Sequence, residues 1–332
     1  MKSIIIAEAG VNHNGSLKLA FKMIDIASKA QADFIKFQTF FPNELVQKNF
    51  GLAKYQVGSI NSSNQRDMLK KYFLSEISHE KLIKRCKLKK IKFLSSPFDF
   101  KSIDLLKKLK LKTIKIPSGE ITNIPYLQHL AKLDKKIILS TGMSDDKDIR
   151  SALKVLTSNG TKKKNITLLH CSTEYPASLE NLNLKSIIFL KKKFNISVGY
   201  SDHSLGYEAA ISAVSLGAEV IEKHFTLNKG YKGPDHKASL NPRELKEFVE
   251  KIRLTEKILG NSQKKPYKKE LINSKFIRKF IVASKNIIKG ERFSKLNITT
   301  KRAKKGVPAA LWFKVIGKKS KFNFLEDENI KV

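Results

Sequence analysis

Glu219-Val-Ile-Glu-Lys-His224 closes a series of eight short runs of β-branched and apolar residues, each ending in polar or ionisable groups. Working back along the chain, the others are Ile196-Ser-Val-Gly-Tyr-Ser-Asp-His203, Ile166-Thr-Leu-Leu-His-Cys171, Lys136-Ile-Ile-Leu-Ser-Thr-Gly142 and Thr113-Ile-Lys-Ile-Pro-Ser-Gly-Glu120. Ile91-Lys-Phe-Leu-Ser-Ser96, Asp33-Phe-Ile-Lys-Phe-Gln38 and Ser3-Ile-Ile-Ile-Ala-Glu8 complete the set. Most are separated by an amphipathic stretch of helix length. Near-continuous apolar strands alternating with helices predict a parallel sheet covered on both faces. Eight such units are what a closed (β/α)8 TIM barrel requires, and such barrels carry their chemistry at the C-terminal ends of the strands. The reactive side chains of this sequence fall there, which points to an enzyme.

Helices are expected over 16–32, 78–89, 100–110, 123–132, 145–158, 181–194, 205–216 and 241–259. Ser16, Ser78, Asp145 and the Asn241-Pro242 pair supply starting caps. The connection from Pro42 to Ser78 is longer than the others and is expected to include a functional loop over the barrel mouth. Past Leu259, Gly260-Asn-Ser-Gln-Lys-Lys-Pro266 is polar and turn-rich. The chain therefore divides into a barrel over 1–260, a linker over 261–275 and a small β-rich unit over 276–332. Strand-like runs in that unit are Phe280–Ala283, Ile298–Thr300 and Val315–Ile316.

With 332 residues, 41% of them hydrophobic, there is material for one large core and a smaller one. Two cysteines, Cys86 and Cys171, are too few for a disulfide framework and fit apolar packing in a reducing compartment. No apolar run approaches membrane-spanning length, and Met1-Lys2 leads straight into the first strand without a secretory signal. A cytoplasmic protein with no membrane partner is expected. Lys and Arg number 65 against 30 Asp and Glu, a net charge of +35, yet only eight are Arg. The lysines are spread over nearly every helix, whereas a specific nucleic-acid surface clusters charge and mixes in Arg and aromatics. What remains is attraction of anionic substrates and weak, salt-sensitive adhesion to nucleic acid.

Glu8 closes the first run and is followed by the turn Gly10-Val-Asn-His-Asn-Gly15. A carboxylate there can hold a substrate hydroxyl or assist proton transfer. Lys36 and Gln38 share one strand face under the period of two. Lys115 interrupts an otherwise apolar strand, an expensive placement unless it is paired or meets an anion. Two such lysines predict either an anion site or a Schiff base, and hydroxyls at neighbouring strand ends, from Ser96, Ser118 and Ser140, favour the anion. His203 and His224 end adjacent strands, about 4.8 Å apart by strand spacing, near enough to share one cation. Asp202 and Asp235 lie close in sequence to this pair, and two histidines would leave positions open for water and substrate. Glu174 and Tyr175 can face substrate hydroxyls, and Gly233-Pro-Asp-His236 is expected to present Asp235 and His236 at the rim.

At these residues the chain resembles the sialic acid synthase family, N-acetylneuraminate synthase and its bacterial relatives for legionaminic and pseudaminic acids. The matching strings are Ala7-Glu-Ala-Gly-Val-Asn-His-Asn-Gly15, Ile35-Lys-Phe-Gln-Thr39, Ser95-Ser-Pro-Phe98, Lys115-Ile-Pro-Ser-Gly-Glu120 and Leu139-Ser-Thr-Gly-Met143. Ser201-Asp-His203, Glu222-Lys-His-Phe-Thr226 and Gly233-Pro-Asp235 follow in family order. The tail, with Lys285-Asn-Ile-Ile-Lys-Gly-Glu291 and Ile298-Thr-Thr-Lys-Arg302, looks like the SAF (antifreeze-like) domain that follows the barrel in that family. The resemblance implies condensation of phosphoenolpyruvate with an N-acetylated hexosamine to a nine-carbon 2-keto acid, with release of phosphate. It implies that Lys36, Lys115, Ser118, Ser140 and Ser201 surround phosphoenolpyruvate. His203 and His224 would hold a divalent metal, Mn2+ or Mg2+, that polarises the sugar aldehyde. Glu8, Gln38, Glu120, Tyr175 and Asp235 would contact the sugar or move protons. Arg302 would reach from the small domain into the partner's barrel of a domain-swapped homodimer. Here the chain departs from the family's usual Lys-Arg-Pro-Gly, reading Lys301-Arg-Ala-Lys-Lys-Gly-Val307, which loosens the turn that aims the arginine. The competing readings are a pseudaminic acid synthase, a synthase for phosphorylated sugars, a lysine Schiff-base aldolase and a nucleic-acid-binding barrel.

Overall fold

Each of the eight runs carries a strand: β1 (Ile4–Gly10), β2 (Phe34–Thr39), β3 (Lys92–Pro97), β4 (Thr113–Ile116), β5 (Lys136–Ser140), β6 (Ile166–Cys171), β7 (Ser197–Asp202) and β8 (Val220–His224). A computed structural model describes residues 2–48, 50–51 and 64–332. All strand pairs in this sheet are parallel, in the order β3-β2-β1-β8-β7-β6-β5-β4. Pairing of β1 with β8 rolls the sheet into a barrel. The expected full closure is not reached: β3 and β4 lie side by side, but among the described residues no ladder joins them. β4 is four residues long and stops before Pro117, and β3 ends in Pro97; neither proline has an N–H to offer a ladder.

The connections carry α1 (Leu17–Lys29), α2 (Pro42–Leu45), α3 (Gln65–Tyr72), α4 (Glu76–Leu88), α5 (Phe100–Lys108), α6 (Ile124–Ala131), α7 (Asp146–Ser158), α8 (Ser186–Phe194), α9 (Glu208–Ser215) and α10 (Pro242–Leu259). Ser16 caps α1, and Asp145 and Asn241 form capping boxes on α7 and α10. Three starts differ from expectation. Ser75 rather than Ser78 caps α4, its hydroxyl accepting from the Ser78 N–H. A separate 3-10 turn at Leu179–Asn181 delays α8, and Gly206, at φ 74°, bends the chain ahead of α9. In the long connection, α3 packs with Val11 and Phe40 through Met68, Leu69 and Tyr72; within the loop expected over the mouth, residues 49 and 52–63 lie outside the described residues.

Alternate residues of each strand enter the barrel. Ile6, Leu94, Ile138, Leu169 and Val220, with Phe34 against them, form an apolar floor distinct from the larger core between sheet and helices. Gly199 is required here, since a Cβ would come within 2.3 Å of the Val220 carbonyl oxygen and 2.6 Å of Leu169 Cδ2. One pleat further on, the same strands present Glu8, Lys36, Ser96, Ser140, Ser201 and Glu222.

The first compact unit ends at Gly260, and Asn261–Val332 forms a second. Much of the stretch expected as linker is helical: α11 (Lys268–Ile277) has no buried residue. β9 (Lys279–Ala283) pairs antiparallel with β10 (Ile298–Arg302) over a core of Ile281, Ile287, Phe293, Ile298, Val315, Phe324 and Ile330. Val315 reaches that core from a single helical turn, α12 (Trp312–Val315), where a strand-like run was expected. Among the described residues no helix is long and apolar enough to cross a membrane.

Candidate active site

A cavity of about 290 Å³ opens where the barrel strands end, above the apolar floor. Glu8, Lys36, Gln38, Ser96, Lys115, Ser118, Ser140, Ser201, His203, His224, Tyr175 and Asp235 all line it. Phe98, Pro117, Met143 and Thr173 add an apolar part of the wall, and Glu222 lies at its base. A roomier hollow of about 490 Å³ lies at the starts of β6, β7 and β8, but its carboxylate, Glu219, is already paired with Lys191.

The base of the cavity is a four-charge cluster whose side chains are at most 5% exposed. Lys36 Nζ lies 2.9 Å from Glu8 Oε1 and 3.6 Å from Glu222 Oε2, and donates to Ser96 Oγ at 3.2 Å. Lys115 Nζ lies 3.5 Å from Glu222 Oε1, which also accepts from Ser201 Oγ at 3.0 Å. Burial outweighs the pull of Lys36 on Glu8 and raises its carboxyl to about 7. For Glu222 burial acts in the same direction, but Lys115, Lys36 and the Ser201 hydrogen bond together bring it down to about 2. Burial lowers Lys115, only partly offset by Glu222, whereas the two carboxylates overcome burial and raise Lys36. Glu8 thus sits at its titration point near neutrality, fit to give or take a proton. Glu8 Oε2 and Glu222 Oε2 are buried without a hydrogen-bond partner, Glu222 Oε2 having the Lys36 ammonium at 3.6 Å.

Higher in the wall, the rings of His203 and His224 lie 5.6 Å apart, and the Tyr175 ring stacks 4.2 Å from His203. His203 Nδ1 donates to the Ser172 carbonyl oxygen, so Nε2 keeps its lone pair, 3.2 Å from the Tyr175 hydroxyl. His224 Nδ1 is buried with no hydrogen-bond partner. Burial lowers both rings, His203 to about 4, and keeps them neutral. Asp202 does not join them. The period of two turns it out of the barrel, where it pairs with Lys223 Nζ at 2.7 Å and accepts from Ser204. Among the described residues no three His, Cys, Asp or Glu side chains form a metal-holding group, so the histidines stand as a pair.

Several other residues fall elsewhere. Glu120 is not part of the cavity wall; it accepts from Asn123 Nδ2 at 2.7 Å and braces its own turn. Glu174 is exposed and accepts from Ser178 N–H and Asn181 Nδ2. His236 is buried rather than at the rim, bonded to Thr226 Oγ1 and Asn14 Oδ1. Ser118 faces the cavity while its hydroxyl accepts from the Gly142 N–H at 3.0 Å. Asp235 is half-buried, and burial raises its carboxyl to about 6. Arg302 belongs to the second unit, exposed near the end of β10.

A match to the NeuB family spans residues 23–264. The chain belongs to the NeuB family. It is 51% identical over 331 residues to the N,N'-diacetyllegionaminic acid synthase of Campylobacter jejuni subsp. jejuni serotype O:2, with 99% of each chain covered. It is 42% identical to the N,N'-diacetyllegionaminic acid synthase of Legionella pneumophila subsp. pneumophila, over 97% of this chain and 92% of that one. The N-acetylneuraminic acid synthetase of Leptospira borgpetersenii serovar Hardjo-bovis, solved with citrate, superposes with a TM-score of 0.74 at 33% identity, over 82% of this chain and 90% of that one. As a NeuB-family chain with synthases as near relatives, it is an enzyme.

Reading the sequence for single reactive residues overlooks Glu222, although it couples both cavity lysines. The signal was available: it stands two residues before His224 on one strand and so shares its face.

Proposed function

We propose that this chain condenses phosphoenolpyruvate with an N,N'-diacetylated trideoxyhexose, forming a legionaminic acid-type nine-carbon 2-keto acid and inorganic phosphate. The observation that carries the reading is the convergence of two ammonium groups, four serine hydroxyls and two neutral imidazoles on one cavity. Identity of 51% to a synthase of that product supports the choice of sugar over N-acetylmannosamine. In the reaction C3 of phosphoenolpyruvate bonds to the aldehyde carbon of the open-chain sugar, water adds at C2, and the bridging oxygen leaves with the phosphate.

Lys36 and Lys115, with Ser96, Ser118, Ser140 and Ser201, hold the phosphate and carboxylate of phosphoenolpyruvate through donors already in place before the ligand arrives. Glu222 keeps both ammonium groups charged and aimed. Glu8, poised near pH 7, takes the proton of the attacking water. Gln38, Tyr175 and Asp235 receive the sugar, and Glu120 supports that side of the mouth through its turn.

His203 and His224 suit a divalent ion, Mn2+ or Mg2+: both are neutral, His203 has its Nδ1 proton committed to a backbone carbonyl, and His224 has a buried nitrogen without a partner. When bound, the ion supplies Lewis-acid polarisation of the sugar aldehyde. We assign the Asn261–Val332 unit to the SAF (antifreeze-like) type and the enzyme to a cytoplasmic, domain-swapped homodimer, in which Arg302 holds the N-acetyl end of the sugar in the partner's barrel.

The test is phosphate release from phosphoenolpyruvate against a panel of free and phosphorylated N-acetylated hexoses, with mass detection of the product. Turnover with the free diacetamido sugar is expected; turnover with none of them, or only with a phosphorylated sugar, overturns the proposal. Exhaustive chelation should stop release and added Mn2+ restore it. Borohydride with pyruvate should leave both lysines unmodified, whereas a trapped adduct would point to the Schiff-base aldolase.

A further inference from the structure

The loop between β8 and α10 brings Asp235 to the cavity. Its neck is closed by backbone bonds, from Thr226 N–H to the Leu240 carbonyl at 2.8 Å and from Leu240 N–H to the His224 carbonyl at 2.9 Å. The neck does not reach the side of the loop where Asp235 sits. Among the described residues the Asp235 carboxylate makes no hydrogen bond or ion pair, so its aim comes from the backbone that carries it.

Two asparagines of the turn after β1 hold that backbone. Asn12 Nδ2 donates to the Phe225 carbonyl and to Ser239 Oγ, both at 2.9 Å, and the Ser239 hydroxyl donates to the carbonyl of Asp235 itself at 2.6 Å. Asn14 Oδ1 accepts from His236 Nε2 at 3.1 Å, while His236 Nδ1 accepts from the Thr226 hydroxyl at 2.6 Å. One neutral tautomer satisfies both bonds. Asn12, Thr226, His236 and Ser239 are all 1% exposed or less. Gly233 lets the loop close over this network, since a Cβ there would stand 2.7 Å from His236 Cδ2 and 3.2 Å from Asn14 Oδ1. A loop that needed only to be covered would place apolar side chains here; buried polar groups repay their desolvation only through fixed geometry.

We infer that Asn12 and Asn14, acting through Ser239 and His236, are positioning residues that aim Asp235 at the sugar. This rests on the synthase reading of the cavity and explains the two asparagines and His236, which touch no substrate in that reading.

The pair Asn14→Gly and Ser239→Ala removes both links from the asparagines to the loop, and glycine suits the φ of 50° at position 14. Amide hydrogen exchange across residues 228–240 is expected to speed up, while the rest of the barrel keeps its protection. Sugar turnover should fall roughly tenfold to a hundredfold, as for a catalytic group misplaced by about an ångström. The KM for phosphoenolpyruvate should stay within about twofold. In an Asp235→Asn background the same pair should cost less than about twofold, because the carboxylate it aims is gone. Unchanged exchange overturns the anchoring. An equal loss with and without the Asp235 carboxylate overturns the positioning role. Should the double variant not fold, Ser239→Ala alone is read by the same measurements. A wild-type chain without synthase turnover ends the functional reading, and the exchange experiment still decides whether the asparagines hold the loop.

Discussion

Two layers of side chains, one pleat apart along the strands, divide the inside of the barrel. The lower layer is Ile6, Leu94, Ile138, Leu169 and Val220, dry and uncharged. The upper layer holds Glu8, Lys36, Lys115 and Glu222, equally buried and fully ionisable. Backbone, pleat and burial are alike, so strand geometry does not distinguish them. The difference is what each layer meets: the floor meets only itself, whereas the charges meet one another on one side and an open cavity on the other. A buried ion is tolerated only with a partner and further hydrogen bonds. The upper layer has both, in the ion pairs of Lys36 and Lys115 and in the hydroxyls of Ser96 and Ser201.

Glu222→Leu should break the contrast most severely. It leaves Lys36 and Lys115 buried with one carboxylate between them, and is expected to lower stability by about 3–5 kcal/mol, as for the loss of one partner of a buried pair. Urea denaturation measures this, and turnover should fall with it. Lys115→Met has the converse profile: it removes an unevenly compensated charge, so the fold should change little, while phosphate release falls by roughly 10²–10³-fold through loss of a fixed donor. In the floor, Leu169→Ala should cost about 3 kcal/mol from the cavity it opens. Its kinetics, taken where the variant is folded, should move far less than its melting temperature; a large kinetic loss would mean that the layers are not separable.

The smallest effect is a slope. Glu8 is raised from 4.5 to about 7 in the fold, so between those values the folded chain keeps a proton that the unfolded chain releases. Its contribution to stability is complete below pH 4.5 and is lost as pH rises through 7. Relative to Glu8→Gln, the wild-type melting temperature should therefore decline across that window. A flat difference would show that Lys36, not burial, governs this carboxyl.

Much of this was readable in advance because it depends on short-range periodicity. Each of the eight runs holds a strand, and the period of two sends Lys36 and Gln38, like His203 and His224, to the cavity. Helix starts were less legible where a second polar residue competed for the cap, as Ser75 did with Ser78. Where the site differs from expectation, neighbours in sequence are not neighbours in space. Asp202 adjoins His203 but faces the other way; His236 adjoins Asp235 but is buried; Glu174 adjoins Tyr175 but spends its carboxylate on nearby amides.

By itself the order of residues determined the eight-unit alternation, the polar strand ends and the face on which each strand side chain lies, since pleat and helix period act over a few residues. Only the tertiary structure decided that Glu222 joins both lysines, that Glu8 rather than Glu222 is poised near neutrality, and that asparagines after β1 hold a loop more than two hundred residues away. Those outcomes depend on distances across the barrel and on how much water each group has lost, and neither is set until the strands have come together.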